Sequence, residues 1–319
     1  MIYKKVGKTD IEISILAMGG HEYLPDGRSR GFNENFDLAV RPGHIFEGFG
    51  QDTRKKVLSL AFEYGINFFD VTQDSEKEAI GRNLKEIPPP FDIFIQTRPE
   101  GMVYGYDLYN QKMANYDLLK AEVQRGLKLL QRERLEFLNI AFMKSALDHD
   151  PEYLDKIKSN IDKLKKEGLI RFACADTFSG EYTCLQQINA GCFDAIYINF
   201  NFADYGATRA VFPAAKEKGL PVISREAFMK GALFQMGAEV GITDRSQLAA
   251  IGLKWNLSHE EVTTVVVGTN NPEHLKKNLE IINDLDFSGE EQEIIEKIKT
   301  SSLYKSYEDR KTREFFEQV

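Results

Sequence analysis

Short runs of apolar residues alternate along the chain with longer stretches whose apolar residues recur at helical spacing. Eight of these runs are rich in β-branched or aromatic residues and bounded by Gly, Pro or charged residues, which is typical of strands buried on both faces. They are Ile13–Gly19, Ile66–Val71, Phe91–Arg98, Glu136–Met143, Ile170–Asp176, Ala195–Asn201, Pro221–Glu226 and Val262–Gly268. Eight strands that each precede a helix predict an α/β fold, the (β/α)8 TIM barrel. The alternative is an open doubly wound sheet, which usually carries a glycine fingerprint that is missing after the first strand here.

The segments between the strands predict amphipathic helices. The clearest are Thr53–Tyr64, Ser75–Ile87, Tyr116–Gln131 and Tyr153–Glu167. Gly168 is placed to end the last of these helices. Asn271 followed by Pro272 is typical of a helix start, because asparagine caps the first turn and proline suits its first position.

Three segments lie outside this alternation. Residues 2–12 predict an N-terminal β-hairpin that could close the bottom of the barrel, and residues 288–319 predict one or two extra C-terminal helices. Residues 20–52 form a long loop after the first strand, and loops of this length inside a compact domain are usually functional. We expect residues 1–319 to form a single barrel domain.

Composition narrows the function classes. Of the 319 residues, 42% are hydrophobic and 28% charged, which excludes a disordered chain, a collagen-like fibre and a small disulfide scaffold. The net charge of −8 argues against nucleic acid as a partner. No apolar run is long enough to span a membrane. Three cysteines and no signal peptide fit reduced thiols in the cytoplasm, and no cysteine or histidine spacing indicates a metal site.

Charged residues follow the predicted strands, where the reactive groups of a barrel lie. They are Asp70, Arg98, Lys144, Asp176, Arg225 and Glu226. Such charges must pair with one another or with a ligand, because burial of an unpaired charge is costly. Asp70 could instead cap a helix, and Arg98 could neutralise Asp70 or Glu100. Lys144 could be a solvated loop residue, and Asp176 and Glu226 could serve as ion-pair partners. His21, after the first strand, is a candidate for acid–base chemistry near neutral pH.

Two features near the last strands are suited to ligand binding. The stretch GTNNPEHLKKN, residues 268–278, ends a strand and starts a helix, and the free N–H groups at a helix N-terminus favour a phosphate. A plain turn is the alternative reading. Phe200 could stack on a flat ring or fill the top of the barrel.

At these residues the chain resembles the aldo-keto reductase family over nearly its whole length. The match is carried by YKKVGKTDIEISILAMGG, AFEYGINFFDVT with SEKEAIGRNL, EVQRGLKLLQRERLEFLNIAF, INFNFAD and VVVGTNNPEHLKKNLE. The resemblance implies an eight-stranded barrel, an NADP(H) cofactor across its mouth and hydride transfer to a carbonyl. It also implies a catalytic tetrad of aspartate, tyrosine, lysine and histidine, in which the tyrosine donates the proton.

Most of that tetrad is replaced. Asp70 matches the aspartate, but the shortened loop Val71–Asp74 lacks the tyrosine, Arg98 stands for the lysine and Lys144 for the histidine. Arginine stays protonated and is no tunable base, but it holds anions well. A substitute proton donor could come from His21. Three tyrosines of the loop after the third strand are further candidates, namely Tyr104, Tyr106 and Tyr109.

The resemblance also implies the cofactor-binding positions. Asp176 and Thr177 replace the serine and asparagine that hold the nicotinamide carboxamide, Tyr197 replaces a glutamine, and Phe200 stands for the stacking tyrosine. Arg225 adds a positive charge to the same mouth. The remaining expected cofactor residues are Gly268, Thr269, Asn270, His274 and Asn278. His274 replaces an arginine that often holds the 2′-phosphate, which leaves NAD(H) as the alternative cofactor.

We therefore expect a cytoplasmic NAD(P)(H)-dependent oxidoreductase with a non-standard proton-transfer set. Its substrate is expected to be a small, polar and anionic carbonyl or alcohol, because Arg98, Lys144 and Arg225 are positive. The loss of three tetrad residues leaves two alternatives: a non-redox lyase or isomerase on the same barrel, and an inactive nucleotide- or metabolite-binding protein. The sequence leaves the oligomeric state open.

Overall fold

Eight parallel strands close into a barrel in the computed structural model, which describes residues 1–24 and 26–317. The strands in chain order are β1 (Tyr3–Lys5), β2 (Glu12–Ser14), β3 (Leu16–Gly19), β4 (Phe68–Asp70), β5 (Phe94–Thr97), β6 (Leu135–Ala141), β7 (Ile170–Asp176), β8 (Ala195–Asn199), β9 (Val222–Arg225) and β10 (Val262–Val267). Strands β3 to β10 form the barrel in sequence order, and β10 pairs with β3 to close it. The predicted (β/α)8 TIM barrel is confirmed, with each expected strand present.

Helices surround the barrel. They are α1 (Phe36–Ala39), α2 (Asp52–Glu63), α3 (Asp74–Glu86), α4 (Gln111–Ala114), α5 (Tyr116–Leu130), α6 (Lys144–His149), α7 (Tyr153–Lys166), α8 (Gly180–Ala190), α9 (Val211–Lys218), α10 (Ala232–Glu239), α11 (Arg245–Leu257), α12 (Pro272–Leu279), α13 (Gly289–Lys299) and α14 (Ser302–Phe316). In α7 the buried residues Ile157, Ile161 and Leu164 recur at helical spacing, so one face packs on the barrel and the lysines remain in water. None of the helices in the described residues has the length and apolar character that crossing a membrane requires.

The N-terminal hairpin closes the bottom of the barrel, as expected. Strands β1 and β2 pair antiparallel, and the turn between them carries Val6 and Ile11. These two residues and Ile13 are buried and belong to the same apolar cluster as Phe68 and Phe137 of the barrel strands. Burying each such side chain stabilises the fold by about 1.5–3 kcal/mol. The hairpin therefore seals the end opposite the mouth.

The loop of residues 20–52 is held against the start of α3. The Gly43 N–H donates to Asp74 Oδ2 at 2.7 Å, and the Phe46 N–H donates to Ser75 Oγ at 2.9 Å. Gln73 Nε2 donates to the Arg30 carbonyl, and its Oε1 lies where a Cβ on Gly31 would be, which requires glycine there. Helix α3 begins directly after β4, whose carboxyl end lies at the mouth. The contacts with the start of α3 therefore hold the long loop across the mouth.

Helix α14 packs across the loops that follow β7 and β8. Gly180, whose φ is +77°, would place a Cβ 2.2 Å from the Phe315 carbonyl oxygen, so the two backbones meet closely. The Arg209 guanidinium lies 3.8 Å from the ring centre of Phe316. Tyr304 donates a hydrogen bond to the Phe202 carbonyl at 2.9 Å. The predicted C-terminal helices are confirmed as α13 and α14, and α14 extends the wall of the barrel mouth.

All three cysteines carry free thiols in buried positions. Cys174 lies inside the barrel, and burial raises the pKa of its thiol well above the ordinary value. Burial raises the pKa of Cys184 to about 12 and that of Cys192 to about 11. The thiols are therefore protonated and shielded at neutral pH.

Candidate active site

Asp70 ends β4 and lies at the carboxyl end of the barrel. Its Oδ1 accepts a hydrogen bond from Gln96 Nε2 at 3.0 Å, and its Oδ2 accepts one from the Tyr197 hydroxyl at 2.5 Å. Burial raises the pKa of Asp70, although the two donors partly oppose that rise. Asp70 is thus part of the floor of the mouth, and Tyr197 serves as its hydrogen-bond partner.

His21 and Glu76 form a pair beside this floor. The imidazole Nδ1 lies 2.7 Å from Glu76 Oε1, and 38% of the His21 side chain is exposed while Glu76 is fully enclosed. Burial alone would lower the pKa of His21, but the Glu76 carboxylate outweighs it and raises that pKa. Burial would raise the pKa of Glu76, but the charge of His21 and several hydrogen bonds hold it at about 2.

The contact with Glu76 determines which nitrogen of the His21 ring remains free. With Nδ1–H donating to Glu76, the neutral imidazole keeps its lone pair on Nε2, and the protonated imidazole carries a proton there. The ring of Phe32 packs edge-on against His21, with centres 5.4 Å apart. His21 can therefore give or take a proton at a fixed atom.

Arg98 follows β5 and is a buried cation with incomplete hydrogen bonding. It is 7% exposed, and its Nε and Nη2 have no hydrogen-bond acceptor among the described residues. Three aromatic rings surround the guanidinium carbon at 5.3 to 5.6 Å, namely Phe32, Tyr104 and Tyr106. Burial disfavours the charge of Arg98, but Glu100 and the tyrosines outweigh it and raise the pKa. Both nitrogens are enclosed by the protein, so an anionic group can reach them only after the side chains that cover them move.

Asp176 and Arg225 pair with each other at the ends of β7 and β9. Arg225 Nη1 and Nη2 donate to the two carboxylate oxygens of Asp176 at 3.0 and 2.9 Å. The Tyr104 hydroxyl donates to Asp176 Oδ2 at 2.6 Å, and Arg225 Nε donates to Asn199 Oδ1 at 2.5 Å. The alternative reading of Asp176 as an ion-pair partner is the one the geometry matches.

The three candidate tyrosines differ in their surroundings. Burial raises the pKa of Tyr104, which has a left-handed backbone (φ +48°) and donates to Asp176. Tyr106 packs edge-on against Phe36 and faces Arg98. Tyr109 stacks on His149 at 4.0 Å instead of contacting the mouth charges. His21 is therefore the best placed proton donor of the four candidates.

Lys144 lies outside the charge cluster, and no contact among the described residues joins it to the other predicted catalytic residues. It begins α6, and its Nζ binds Asp148 one turn later, at 2.7 Å from Oδ1 and 2.6 Å from Oδ2. Strand β6 ends at Ala141, three residues earlier. The side chain therefore runs along the helix toward solvent.

The expected cofactor residues on β7 and β8 are occupied by internal contacts. Thr177 donates through its hydroxyl to the Phe142 carbonyl at 3.0 Å. Of the two expected placements of Phe200, on a ligand ring or filling the barrel top, its contacts favour a packing role. Phe200 is fully buried, and it packs against Phe212, Trp255 and His259 in the helix layer.

The end of β10 is also in contact with the long loop. The Tyr23 hydroxyl lies where a Cβ on Gly268 would be, and the Tyr23 carbonyl accepts a hydrogen bond from Asn270 Nδ2 at 2.9 Å. Arg54 Nη1 donates to the Thr269 carbonyl at 3.1 Å. Asn270 Oδ1 is buried without a partner among the described residues.

Helix α12 begins as expected. The Asn271 side chain accepts the Glu273 N–H at 2.9 Å, and Pro272 occupies the first turn. On this helix His274 is exposed and Asn278 is buried.

Sequence reasoning missed Glu76, Gln96 and Phe32 as site residues. Glu76 lies on the first turn of α3, and the short loop Val71–Gln73 brings that turn to the mouth. The shortness of this loop was the available signal. The position of Phe32 depends on the path of a long irregular loop, for which the sequence has no periodic signal.

The sequence of the chain is similar to those of known proteins. The model of the Aldo/keto reductase family matches residues 43–240. L-galactose dehydrogenase of Arabidopsis thaliana is 23% identical over 295 positions, covering 81% of this chain and 86% of that protein. L-glyceraldehyde 3-phosphate reductase of Escherichia coli O157:H7 is 24% identical over 345 positions, covering 91% and 90%.

Solved structures show the same fold. The holo form of aldo-keto reductase AKR11C1 from Bacillus halodurans superposes with a TM-score of 0.69 at 19% identity, covering 97% of this chain and 99% of that one. Its apo form gives a TM-score of 0.66 at 18% identity over the same shares of the chains.

Proposed function

Because the chain belongs to the aldo/keto reductase family, we propose that it is an NADP(H)-dependent oxidoreductase acting on a small, polar and anionic carbonyl or alcohol. One observation carries this proposal. Arg98 is a buried cation with two nitrogens that have no acceptor among the described residues, and it packs on the same Phe32 ring as His21 of the His21–Glu76 pair. An anion receptor next to a proton-transfer pair is what reduction of such a carbonyl requires.

Arg98 binds the anionic group of the substrate in this proposal. Leaving charged donors unpaired in a buried site costs several kcal/mol, so an incoming carboxylate or phosphate oxygen gains by satisfying them. Two relatives support a hydroxyaldehyde substrate, since one is named for L-galactose and the other for L-glyceraldehyde 3-phosphate. A short phosphorylated hydroxyaldehyde combines both properties.

His21 supplies the proton in place of the missing tyrosine. Its raised pKa keeps the imidazolium populated near neutral pH, and Nε2 is then a donor for the oxygen of the reduced carbonyl. Glu76 is a positioning residue, because it fixes the ring through Nδ1. In the oxidation direction neutral His21 takes the hydroxyl proton at the same atom.

The residues around the cofactor positions fit a nucleotide in part. The start of α12 offers backbone N–H groups to a phosphate, with His274 and Lys276 exposed on the same helix. The expected carboxamide residues do not fit in this arrangement, because both carboxylate oxygens of Asp176 are bonded to Arg225 and the Tyr197 hydroxyl is bonded to Asp70.

The test measures reduction of L-glyceraldehyde 3-phosphate and of unphosphorylated L-glyceraldehyde with NADPH and NADH. We expect His21→Phe to lower kcat by about 100-fold, the lower range for general acid catalysis. Arg98→Met should raise KM for the phosphorylated substrate by about 10-fold or more, as loss of a charged hydrogen bond predicts. It should leave KM for the unphosphorylated substrate little changed.

Matched controls use residues outside the site. His149→Gln replaces an exposed histidine, and Arg134→Met replaces an exposed arginine before β6. Both should behave as the unchanged protein. Calorimetric titration with NADPH, NADP⁺, NADH and NAD⁺ accompanies the assay, and roughly micromolar binding of at least one is expected. Absence of binding to all four would refute the oxidoreductase proposal.

A further inference from the structure

We propose that the same mouth has a second activity that needs no cofactor, namely the enolisation of 2-hydroxyaldehydes to the corresponding 2-ketoses. The inference shares the substrate site of the proposed function but not its hydride chemistry, and in it Arg98 contacts the C1 oxygen, whereas in reduction Arg98 contacts the anionic group of the substrate. The two activities can therefore be present or absent independently.

The base for this reaction is His21. Glu76 holds Nδ1, so the neutral ring presents its lone pair at Nε2 on a side chain that is partly open to solvent. The charged groups that face His21 are Glu76 on α3, Asp70 at the end of β4 and Arg98 after β5. Such a ring can take a proton from carbon when the resulting anion is stabilised nearby.

Arg98 provides that stabilisation. His21 and Arg98 both pack against the ring of Phe32, with the His21 ring centre 5.4 Å and the Arg98 guanidinium carbon 5.6 Å from its centre. Nε and Nη2 of Arg98 lack acceptors among the described residues but are enclosed by the protein, so they can donate to an oxyanion once the loop that carries Phe32 moves aside. A permanent cation that is itself shielded from water stabilises a developing enediolate more strongly than water does.

The remaining charges of the mouth do not compete for this role. Arg225 is already paired with Asp176, and Lys144 is paired with Asp148. Glu100 faces Arg98 without a hydrogen bond between their side chains among the described residues. The base and the cation therefore stand together, while the positions expected for the nicotinamide carboxamide are satisfied by protein groups. This arrangement suits proton transfer without a bound nucleotide.

The reaction is balanced within the substrate. His21 Nε2 takes the proton from C2, the C2–H electron pair forms the C1=C2 double bond, and the carbonyl electron pair moves to O1 beside Arg98. The O2 proton passes to O1, the new carbonyl forms at C2, and His21 returns its proton to C1. No electrons leave the substrate, so neither an oxidant nor a reductant is needed.

The test follows proton exchange in D₂O by ¹H NMR, with L-glyceraldehyde 3-phosphate as the probe and no nucleotide present. We expect the unchanged protein to form the 2-ketose phosphate with solvent deuterium, at least about 100-fold faster than buffer. His21→Phe and His21→Gln should fall to the buffer rate, and His149→Gln should not. A contaminating isomerase would be present in every preparation and would leave the His21 variants active.

The pH dependence separates this activity from reduction. Enolisation needs neutral His21 and should rise with pH through its pKa, whereas reduction needs protonated His21 and should fall over the same range. Equal exchange rates for the unchanged protein and both His21 variants would overturn the inference. Loss of exchange with retained reduction would refute this inference alone, and exchange without nucleotide binding would refute the oxidoreductase proposal alone.

Discussion

Glu76 fixes the orientation of the His21 ring and accepts three further hydrogen bonds. Besides the His21 ring, its oxygens accept the Thr72 N–H at 2.8 Å, the Thr72 hydroxyl at 3.1 Å and Gln73 Nε2 at 3.0 Å. Four donors on one buried carboxylate explain why its pKa stays at about 2 despite burial. Glu76 therefore stays ionised at every pH at which the protein is expected to work, and it always favours the charged form of His21.

Glu76→Gln should shift the pH limit of reduction downward. An amide has no charge to stabilise imidazolium, so the pKa of His21 falls and the acid form is lost at lower pH. The pH profile of kcat/KM should show this downward shift. Glu76→Asp should return the profile part of the way to that of the unchanged protein. A merely structural role would lower activity equally at every pH.

The same variant should change how stability depends on pH. The folded pKa of His21 is raised above 6.5, so its contribution is fully present below 6.5 and is lost as pH rises through the folded value. The contribution of Glu76 is present above 4.5 and is lost as pH falls toward about 2. Urea unfolding above pH 6.5 should show the free energy of unfolding falling with pH in the unchanged protein. In Glu76→Gln that slope should be flatter.

At the scale of elements, strand ends decide which predicted residues reach the mouth. The alternation of apolar runs predicts all eight barrel strands because both faces of each are buried. Tyr197 and Asn199 face the barrel, so the next residue, Phe200, must face the helices, and this alternation could have excluded it as a stacking ring. The direction of the Lys144 side chain could not be predicted from strand alternation, because it depends on where α6 begins.

The docking of α14 offers a test at this scale. Gly180→Ala should destabilise the protein by about 1–3 kcal/mol, the range for forcing extra atoms into a packed contact. The added Cβ would meet the Phe315 backbone, and the backbone at residue 180 is left-handed. Gly168→Ala, at a glycine with a similar left-handed backbone (φ +74°) and nothing within 4 Å of the added Cβ, is the control. Thermal unfolding measures both variants, and equal effects would show that the close contact with α14 is not formed in solution.

For the whole molecule, the barrel is closed at one end by the hairpin and partly covered at the other by the loop of residues 20–52. The barrel, its two added helices and its charged strand ends are predictable from sequence, because they follow from periodicity and chain order. The pairing of those charges is not, because it depends on side-chain directions. Arg225 and Arg98 occupy similar strand ends, yet Arg225 is neutralised by Asp176 while two nitrogens of Arg98 remain without acceptors.

The closed barrel predicts cooperative unfolding of residues 1–319 as one domain. Trp255 packs against Phe200 between barrel and helices, so its fluorescence reports tertiary packing. Far-UV circular dichroism reports the helices. The two transitions in urea should coincide. Separate midpoints would show that part of the chain unfolds independently.

The burial of the three cysteines has a practical consequence for observing the long loop. Cys174, Cys184 and Cys192 are shielded and protonated, so they leave little background for thiol-reactive dyes. A cysteine introduced at exposed Phe36 would be selectively labelled without removal of the native thiols. A dye at that position would report, by its fluorescence, how often the loop uncovers Arg98 and how a ligand changes that frequency.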